Sequence, residues 1–305
     1  MKKVKILITG ANGFIGSSLS NYFHYHHYQV VGISRKSNIK TLFQTVTSDY
    51  STDELAHIID SKSPQYIIHA AGTSSVGDSI TNPKLDFDNS VLPFLSLLEA
   101  VRVSKNKPRI YFLSSAAVYG NPKIQPINET TPLNPISPYG YHKQISEQLA
   151  FEFANVYKIP LTILRLFSVF GPLQKNLLIW ELYQQMAAKD QVTIDGTGEE
   201  SRDYLHIEDL YNIFQFLLDL KNPPQKHILN IASGNSIKIN KLVQLMSKVM
   251  KTNKSIIYKN NIRIGNPIHW EANITKLRSV TNQNLHFDFE KRLEATINIW
   301  QKSKS

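Results

Sequence analysis

The chain has 305 residues, 42% of them hydrophobic, with 34 Lys+Arg against 24 Asp+Glu and a net charge of +10. That supplies enough apolar material for one large α/β domain and a smaller lobe. The absence of cysteine excludes disulfides, thiolate metal sites and a cysteine nucleophile, so redox work requires a bound cofactor. The lysines are scattered in short groups such as Lys2-Lys3 and Lys302–Lys304. Without a long basic run or interleaved aromatics, they read as a solvated surface that attracts phosphate-bearing small molecules rather than nucleic acid.

At the N-terminus two lysines precede an apolar stretch, as in a leader peptide. That stretch runs only from Val4 to Ile8, is interrupted by Lys5 and ends at Gly10, so it reads as a buried strand entering a turn. No segment approaches the roughly 20 apolar residues of a membrane span, and a cytoplasmic location without membrane contact is expected. Strand-like runs follow at Val30–Ile33, Tyr66–His69, Ile110–Leu113 and Leu161–Leu166, alternating with helical periodicity over 14–27, 52–61, 83–104 and 139–157. This alternation specifies an α/β fold, a doubly wound parallel sheet that binds ligands at the carboxyl ends of its strands.

Beyond Gly171-Pro172 the pattern is less regular: helices near 176–189, 207–220, 239–251 and 288–301, and a strand at 227–231, separated by turn-rich segments. The expected division is a dinucleotide-binding domain over 1–170, rejoined by about 203–231, and a substrate lobe from 171–202 and 232–305.

Gly10, Gly13 and Gly16 directly follow the first strand and open a helix. In that setting the glycines permit a tight turn, close approach of a pyrophosphate, and helix–strand packing, with the phosphates at the helix N-terminus. At the end of the second strand, where an NAD site presents a carboxylate to the ribose, the chain has Ser34-Arg35-Lys36. Donors and positive charge suit a 2′-phosphate, so NADP(H) is favoured, with NAD the alternative. Asp49 either reaches the adenine amino group or, with Asp53, caps a helix.

Tyr139 and Lys143 stand at i and i+4, which on a helix places both on one face. An ammonium beside a phenol favours the phenolate, and is expected to bring the tyrosine pKa toward the working range. Upstream lie Ser114 and Ser115, candidates for hydrogen bonding to a reacting oxygen. The histidines at 24, 26 and 27 have no accompanying carboxylate and suggest no metal.

TGANGFIG, HAAGTSSV at 69–76, SSAAVYG at 114–120, YGYHK at 139–143, RLFSVFGP at 165–172, SRDYLHIEDL at 201–210 and RIGNP at 263–267 together resemble the extended short-chain dehydrogenase/reductase family that acts on nucleotide sugars. The resemblance implies Tyr139 as acid/base, Lys143 as the residue that holds the nicotinamide ribose, and Ser115 as the partner of the reacting sugar oxygen. It further implies cofactor contacts from Asn12, Phe14, Ile15, Tyr50 and Ala71 beside the residues above. Substrate contacts follow from Ser74, Ser168, Arg202 and Arg263, the two arginines gripping the diphosphate of a nucleoside-diphosphate sugar. A homodimer through the helices at 83–104 and 139–157 is also implied.

Departures from the family pattern narrow the reaction. Ala116-Ala117 replace the Asp-Glu pair of 4,6-dehydratases, and methyl groups transfer no protons. Ser168 and Ser90 stand where many relatives have asparagine, although Asn89 is adjacent. The cofactor segment favours NADPH-dependent reduction of a C4 ketone on a nucleotide-linked 6-deoxy sugar. The alternatives are a 4-epimerase holding NAD tightly, as SSAAVYG suggests, and a dinucleotide-binding protein without catalysis.

Overall fold

The alternating segments fold as follows in the computed structural model, which describes residues 4–36, 41–220, 223–224, 226–261, 263–281 and 287–303. The chain runs β1 (Lys5–Thr9), α1 (Phe14–Tyr25), β2 (Gln29–Ser34), β3 (Gln44–Thr47), α2 (Thr52–Lys62), β4 (Tyr66–His69), α3 (Val76–Thr81), α4 (Pro83–Val103) and β5 (Arg109–Ser115). A 3₁₀ turn (Ala116–Tyr119) then leads to α5 (Pro138–Val156), β6 (Leu161–Leu166), β7 (Ser168–Phe170), α6 (Leu177–Ala188), β8 (Gln191–Ile194), β9 (Ser201–His206) and α7 (Ile207–Asp219). The last elements are β10 (Lys226–Ile231), β11 (Ser236–Lys238), α8 (Ile239–Met250), β12 (Ser255–Tyr258), α9 (Thr275–Thr281) and α10 (Phe289–Lys302). Lys2, Lys3 and Lys304 lie outside the described residues.

Seven strands pair in the order β3-β2-β1-β4-β5-β6-β10, every neighbour parallel. The order reverses beside β1, which opens the ligand crevice of a doubly wound sheet between the ends of β1 and β4. The period-2 geometry of a strand divides its side chains between two cores. Ile6, Ile8, Tyr111 and Leu113 join α1 and α7 on one face, while Leu7, Ile110 and Phe112 join α2 and α4 on the other. A third apolar cluster, with Leu182, Tyr183, Leu242, Met246, Leu293 and Trp300 at its centre, ties α6, α8 and α10 together.

The long elements coincide with those expected from the sequence to within a residue or two. β3 and the short strands β7, β8, β9, β11 and β12 were not expected. β3, β7, β8, β11 and β12 have three or four residues, too few for a readable period, β9 has six but starts in a turn-rich segment, and β8 and β12 pair with each other, 64 residues apart at Gln191 and Ser255. The tryptophans anchor loops: the indole N–H of Trp270 donates to Gly120 O (2.9 Å), and that of Trp300 to Pro172 O (2.6 Å).

Candidate active site

Gly10 ends β1 with φ +66°, a left-handed conformation, and a Cβ there would lie 2.6 Å from Ala70 O across the crevice. A Cβ on Gly16 would lie 2.2 Å from Gly10 O. Only glycine lets the first turn of α1 close down on β1 this tightly. The result is a cleft of about 370 Å³ lined by Gly10, Asn12, Gly13, Ser34, Arg35, Lys36, Tyr50, Ala70, Ala71, Gly72, Thr73 and Asn89. The orphan N–H groups of a helix start face such a turn, the environment a pyrophosphate requires, so these residues fit a dinucleotide. Phe14 and Ile15 supply backbone at that helix start, while their side chains pack on the adjacent core.

Two groups of expected cofactor residues are engaged by the protein itself. The carboxylate of Asp49, an exposed residue, accepts the Ser51 N–H (2.7 Å), a bond that lowers its pKa. It closes the turn before α2 and is absent from the cleft lining. Tyr50 reaches the cleft instead, its hydroxyl accepting the Gly10 N–H (3.0 Å). The Ser34-Arg35-Lys36 group is also more committed than the sequence implied. The Ser34 hydroxyl donates to Lys36 O (2.8 Å), and the Arg35 guanidinium donates to Asn89 Oδ1 while lying 5.4 Å from the Tyr50 ring centroid.

β5 delivers Ser114 and Ser115 to the same edge of the sheet, and their side chains part. Ser114 Oγ donates to the buried Glu147 (2.6 Å). Ser115 Oγ accepts the Ala117 N–H (3.1 Å) and interacts with the Tyr139 phenol. Helix α5 begins at Pro138, with the Ser137 side chain accepting the Gly140 N–H (3.2 Å), a preferred N-terminal arrangement. A Cβ on Gly140 would lie 2.7 Å from Ala117 O. Glycine at that position lets α5 seat on the 3₁₀ turn, which brings Tyr139 against Ser115.

Lys143 is buried. Its ammonium donates to Leu113 O (2.9 Å) and lies 5.3 Å from the Phe112 ring centroid and 5.7 Å from that of Tyr139. Burial lowers its pKa to about 8, against the opposing pull of Asp86 and Glu147. The Tyr139 pKa is raised, by burial first, with the Ser115 interaction opposing and Asp86 adding to the rise. The sequence led us to expect the reverse. Desolvation outweighs the ammonium here, whose nearest hydrogen-bond partner is a carbonyl rather than the phenol.

Behind these groups lies a network that the sequence did not reveal. Arg165 donates to both Glu147 oxygens, to Tyr119 Oη (2.9 Å) and to Glu129 O (3.1 Å), and Tyr119 donates to Asn230 Oδ1 (2.7 Å). Arg165 and Glu147 are almost wholly buried. His142 Nδ1 lies 2.5 Å from Asp86 Oδ2, and Asp86 Oδ1 accepts the Thr73 hydroxyl.

The expected substrate residues are dispersed. Ser74 Oγ accepts from Asn176 Nδ2 (3.3 Å), and Ser168 is half-buried on β7 opposite Tyr204. Arg202 donates to Ser201 O (2.9 Å) and Ile268 O (3.3 Å), with Trp270 beneath it. Arg263 is exposed and pairs with Asp195 (2.5 Å). Among the described residues no cluster of histidine and carboxylate side chains could hold a metal ion, and no helix is long and apolar enough to cross a membrane.

A glycine-turn cleft on a doubly wound sheet, with a serine, tyrosine and lysine at its edge, defines a dinucleotide-dependent enzyme of carbonyl and alcohol chemistry. Residues 6–232 match the NAD dependent epimerase/dehydratase family. The chain belongs to that family, and is an NAD(P)-dependent enzyme of nucleotide-sugar chemistry. A UDP-glucose 4-epimerase of Mycolicibacterium smegmatis is 28% identical over 69% of this chain and 72% of its own length. The structure of a UDP-glucose 4-epimerase from Thermotoga maritima with UDP-glucose superposes with a TM-score of 0.90 at 25% identity, covering 99% of this chain and 100% of that one. A UDP-glucuronic acid 4-epimerase from Bacillus cereus, in complex with UDP-glucuronic acid and NAD, superposes with a TM-score of 0.90 at 25% identity over 98% and 100% of the two chains.

Proposed function

We propose that the protein is a UDP-sugar 4-epimerase that works with bound NAD, rather than a 4-ketoreductase. The observation that carries this reading is the Ser115, Tyr139 and Lys143 cluster, whose ammonium lies beside Gly72 of the cleft lining, in a chain that superposes over nearly its whole length on UDP-sugar 4-epimerases. NAD is favoured over NADP because Ser34 and Arg35, the proposed 2′-phosphate handles, already bond Lys36 O and Asn89.

When bound, the nicotinamide supplies a reversible hydride acceptor. Tyr139 takes the proton of the sugar C4 hydroxyl and returns it to the C4 oxygen once the ketone has presented its other face. Ser115 donates to the same oxygen and stabilises the charge that develops on it. Lys143, positively charged over most of the neutral range, favours the phenolate once the cleft is filled. Gly10, Gly13 and the start of α1 hold the pyrophosphate, with Asn12, Tyr50 and Ala71 along the cleft. Arg202 and Arg263, with Ser74 and Ser168, are assigned to the sugar nucleotide, on the side of the molecule built around α6, α8 and α10. Homodimerisation through α4 and α5 is supported by their solvent-facing apolar side chains, Leu92 at 45% exposure and Tyr141 at 51% among them.

The test supplies UDP-glucose or UDP-glucuronate to the purified protein with no added cofactor and follows the anomeric proton of the C4 epimer by NMR. Interconversion is expected, and Tyr139→Phe should lose it by about 10²-fold or more while retaining NAD. Turnover that appears only with added NADPH and a 4-keto sugar would overturn the reading in favour of the reductase.

A further inference from the structure

The pair formed by Asp86 and His142 is not used by the mechanism above, yet it borders both the cofactor cleft and the acid–base residues. Asp86 is 3% exposed and has two side-chain partners: the Thr73 hydroxyl at the rim of the cleft, and His142 Nδ1 at 2.5 Å. Thr73 also meets Ser90, both through its backbone N–H (3.2 Å) and through its hydroxyl (3.1 Å). His142 packs edge-on against Phe87, 5.3 Å between ring centroids, and keeps 13% of its side chain exposed. Gly72, next to Thr73, sits where a Cβ would be 3.8 Å from Lys143 Nζ. The ammonium thus borders Gly72, the neighbour of the threonine that the carboxylate holds.

A buried carboxylate requires a compensating partner. Two acidic side chains act on Lys143, Asp86 and Glu147, and their circumstances differ. Glu147 is neutralised by Arg165, a cation at every accessible pH. Asp86 faces an imidazole, which holds it by a hydrogen bond in the neutral form and cancels its charge only when protonated.

We propose that Asp86 and His142 are a paired positioning group that holds the Lys143 ammonium in its charged, catalytically useful state beside Tyr139. The imidazole holds the carboxylate in place, and the negative charge of the carboxylate stabilises the ammonium. The ionisable side chain that His142 meets is Asp86 of α4, while Tyr139, Lys143 and Glu147 are the other ionisable groups of α5 at the active site. α3, which also packs on α5, carries Asp78, which is exposed.

The proposal rests on Tyr139 and Lys143 being the acid–base pair, but its test needs no substrate, so it fails or stands apart from the epimerase reading. The protein is labelled with [ε-¹³C]lysine, and the Lys143 resonance is assigned by its loss in Lys143→Met. Its titration is then followed by NMR. Asp86→Asn should move the Lys143 midpoint down by about one unit. His142→Phe, which keeps a packing ring and leaves the carboxylate charged but no longer anchored, should move it in the same direction by less. His142→Gln, which restores a donor, should bring it back toward the parent value. If Asp86→Asn fails to fold, the two His142 variants decide. An unmoved midpoint in a folded Asp86→Asn protein, or identical midpoints in His142→Phe and His142→Gln, would overturn the assignment and leave the pair a fastening between helices.

Discussion

Two buried carboxylates meet at helix α5, Glu147 on the helix itself and Asp86 on α4, and they have opposite kinds of partner. Glu147 is bound by the guanidinium of Arg165, itself tied to Tyr119 and Glu129. Asp86 is bound by a hydroxyl and an imidazole. The first cluster is a buried ion pair that spans β5, α5 and β6 as a fixed joint. The second is a hydrogen-bonded pair that borders the groups that move protons. One fold thus separates a carboxylate that holds α5 against the sheet from one that tunes what α5 presents to the cleft.

The sharpest way to break this contrast is to remove one member of the fixed joint. Arg165→Met leaves Glu147 buried without a counter-charge, and is expected to cost about 3–5 kcal/mol in urea unfolding. Adding Glu147→Gln should recover much of that loss, because the uncompensated charge is gone. Asp86→Asn, on the other side of α5, should cost less than about 2 kcal/mol, since an amide keeps the Thr73 contact. Equal losses at the two positions would mean that both clusters are structural.

Gly140→Ala tests whether the seating of α5, rather than charge, delivers Tyr139 to Ser115. The new methyl meets Ala117 O at 2.7 Å, so the helix must shift by a fraction of an ångström or more. A displacement of about 1 Å can cost on the order of 10²-fold in rate. A fall in kcat of tenfold or more with NAD still retained is the expected result; an unaltered kcat would show that the register of Tyr139 is not critical.

The pH dependence of stability provides a third distinction. The folded Lys143 value, about 8, lies below its ordinary 10.5, so between the two the unfolded chain binds the extra proton. The contribution of this group to stability therefore rises with pH from about 8 to 10.5 and is constant below. Lys143→Met should flatten that rise in unfolding measured at pH 7, 8 and 9. The Glu147–Arg165 pair should contribute no slope across the same window.

Much of this was legible in the sequence, and the remainder was hidden for identifiable reasons. The glycine turn, the strand–helix alternation and the Tyr139–Lys143 spacing are local patterns, and local patterns survive in one dimension. Ser115 and Ser114 are neighbours in sequence, and only the pleat, which turns one toward Glu147 and the other toward Tyr139, separates their roles. Asp86 and His142 lie 56 residues apart, on helices brought together by the crossover, so neither residue signals the other. The Ser34-Arg35-Lys36 group read as a 2′-phosphate site because a sequence displays donors without their partners. Asn89 and the Lys36 carbonyl, which engage those donors, appear only in three dimensions.

The smallest expected effect on stability separates two arginines rather than two carboxylates. Arg165 is buried and fully partnered, whereas Arg263 keeps 59% of its side chain exposed while paired with Asp195. An exposed pair of this kind contributes about 0–1 kcal/mol, so Arg263→Ala should leave urea unfolding nearly unchanged. Its proposed role on the diphosphate predicts a different readout: KM for UDP-glucose should rise about tenfold or more, with kcat largely retained. A guanidinium that grips the phosphates equally in the ground and transition states affects KM alone when it is removed. The opposite pattern, unchanged KM with reduced stability, would make Arg263 the fastener of the loop before β9, and would leave Arg202, seated over Trp270, to hold the diphosphate without it.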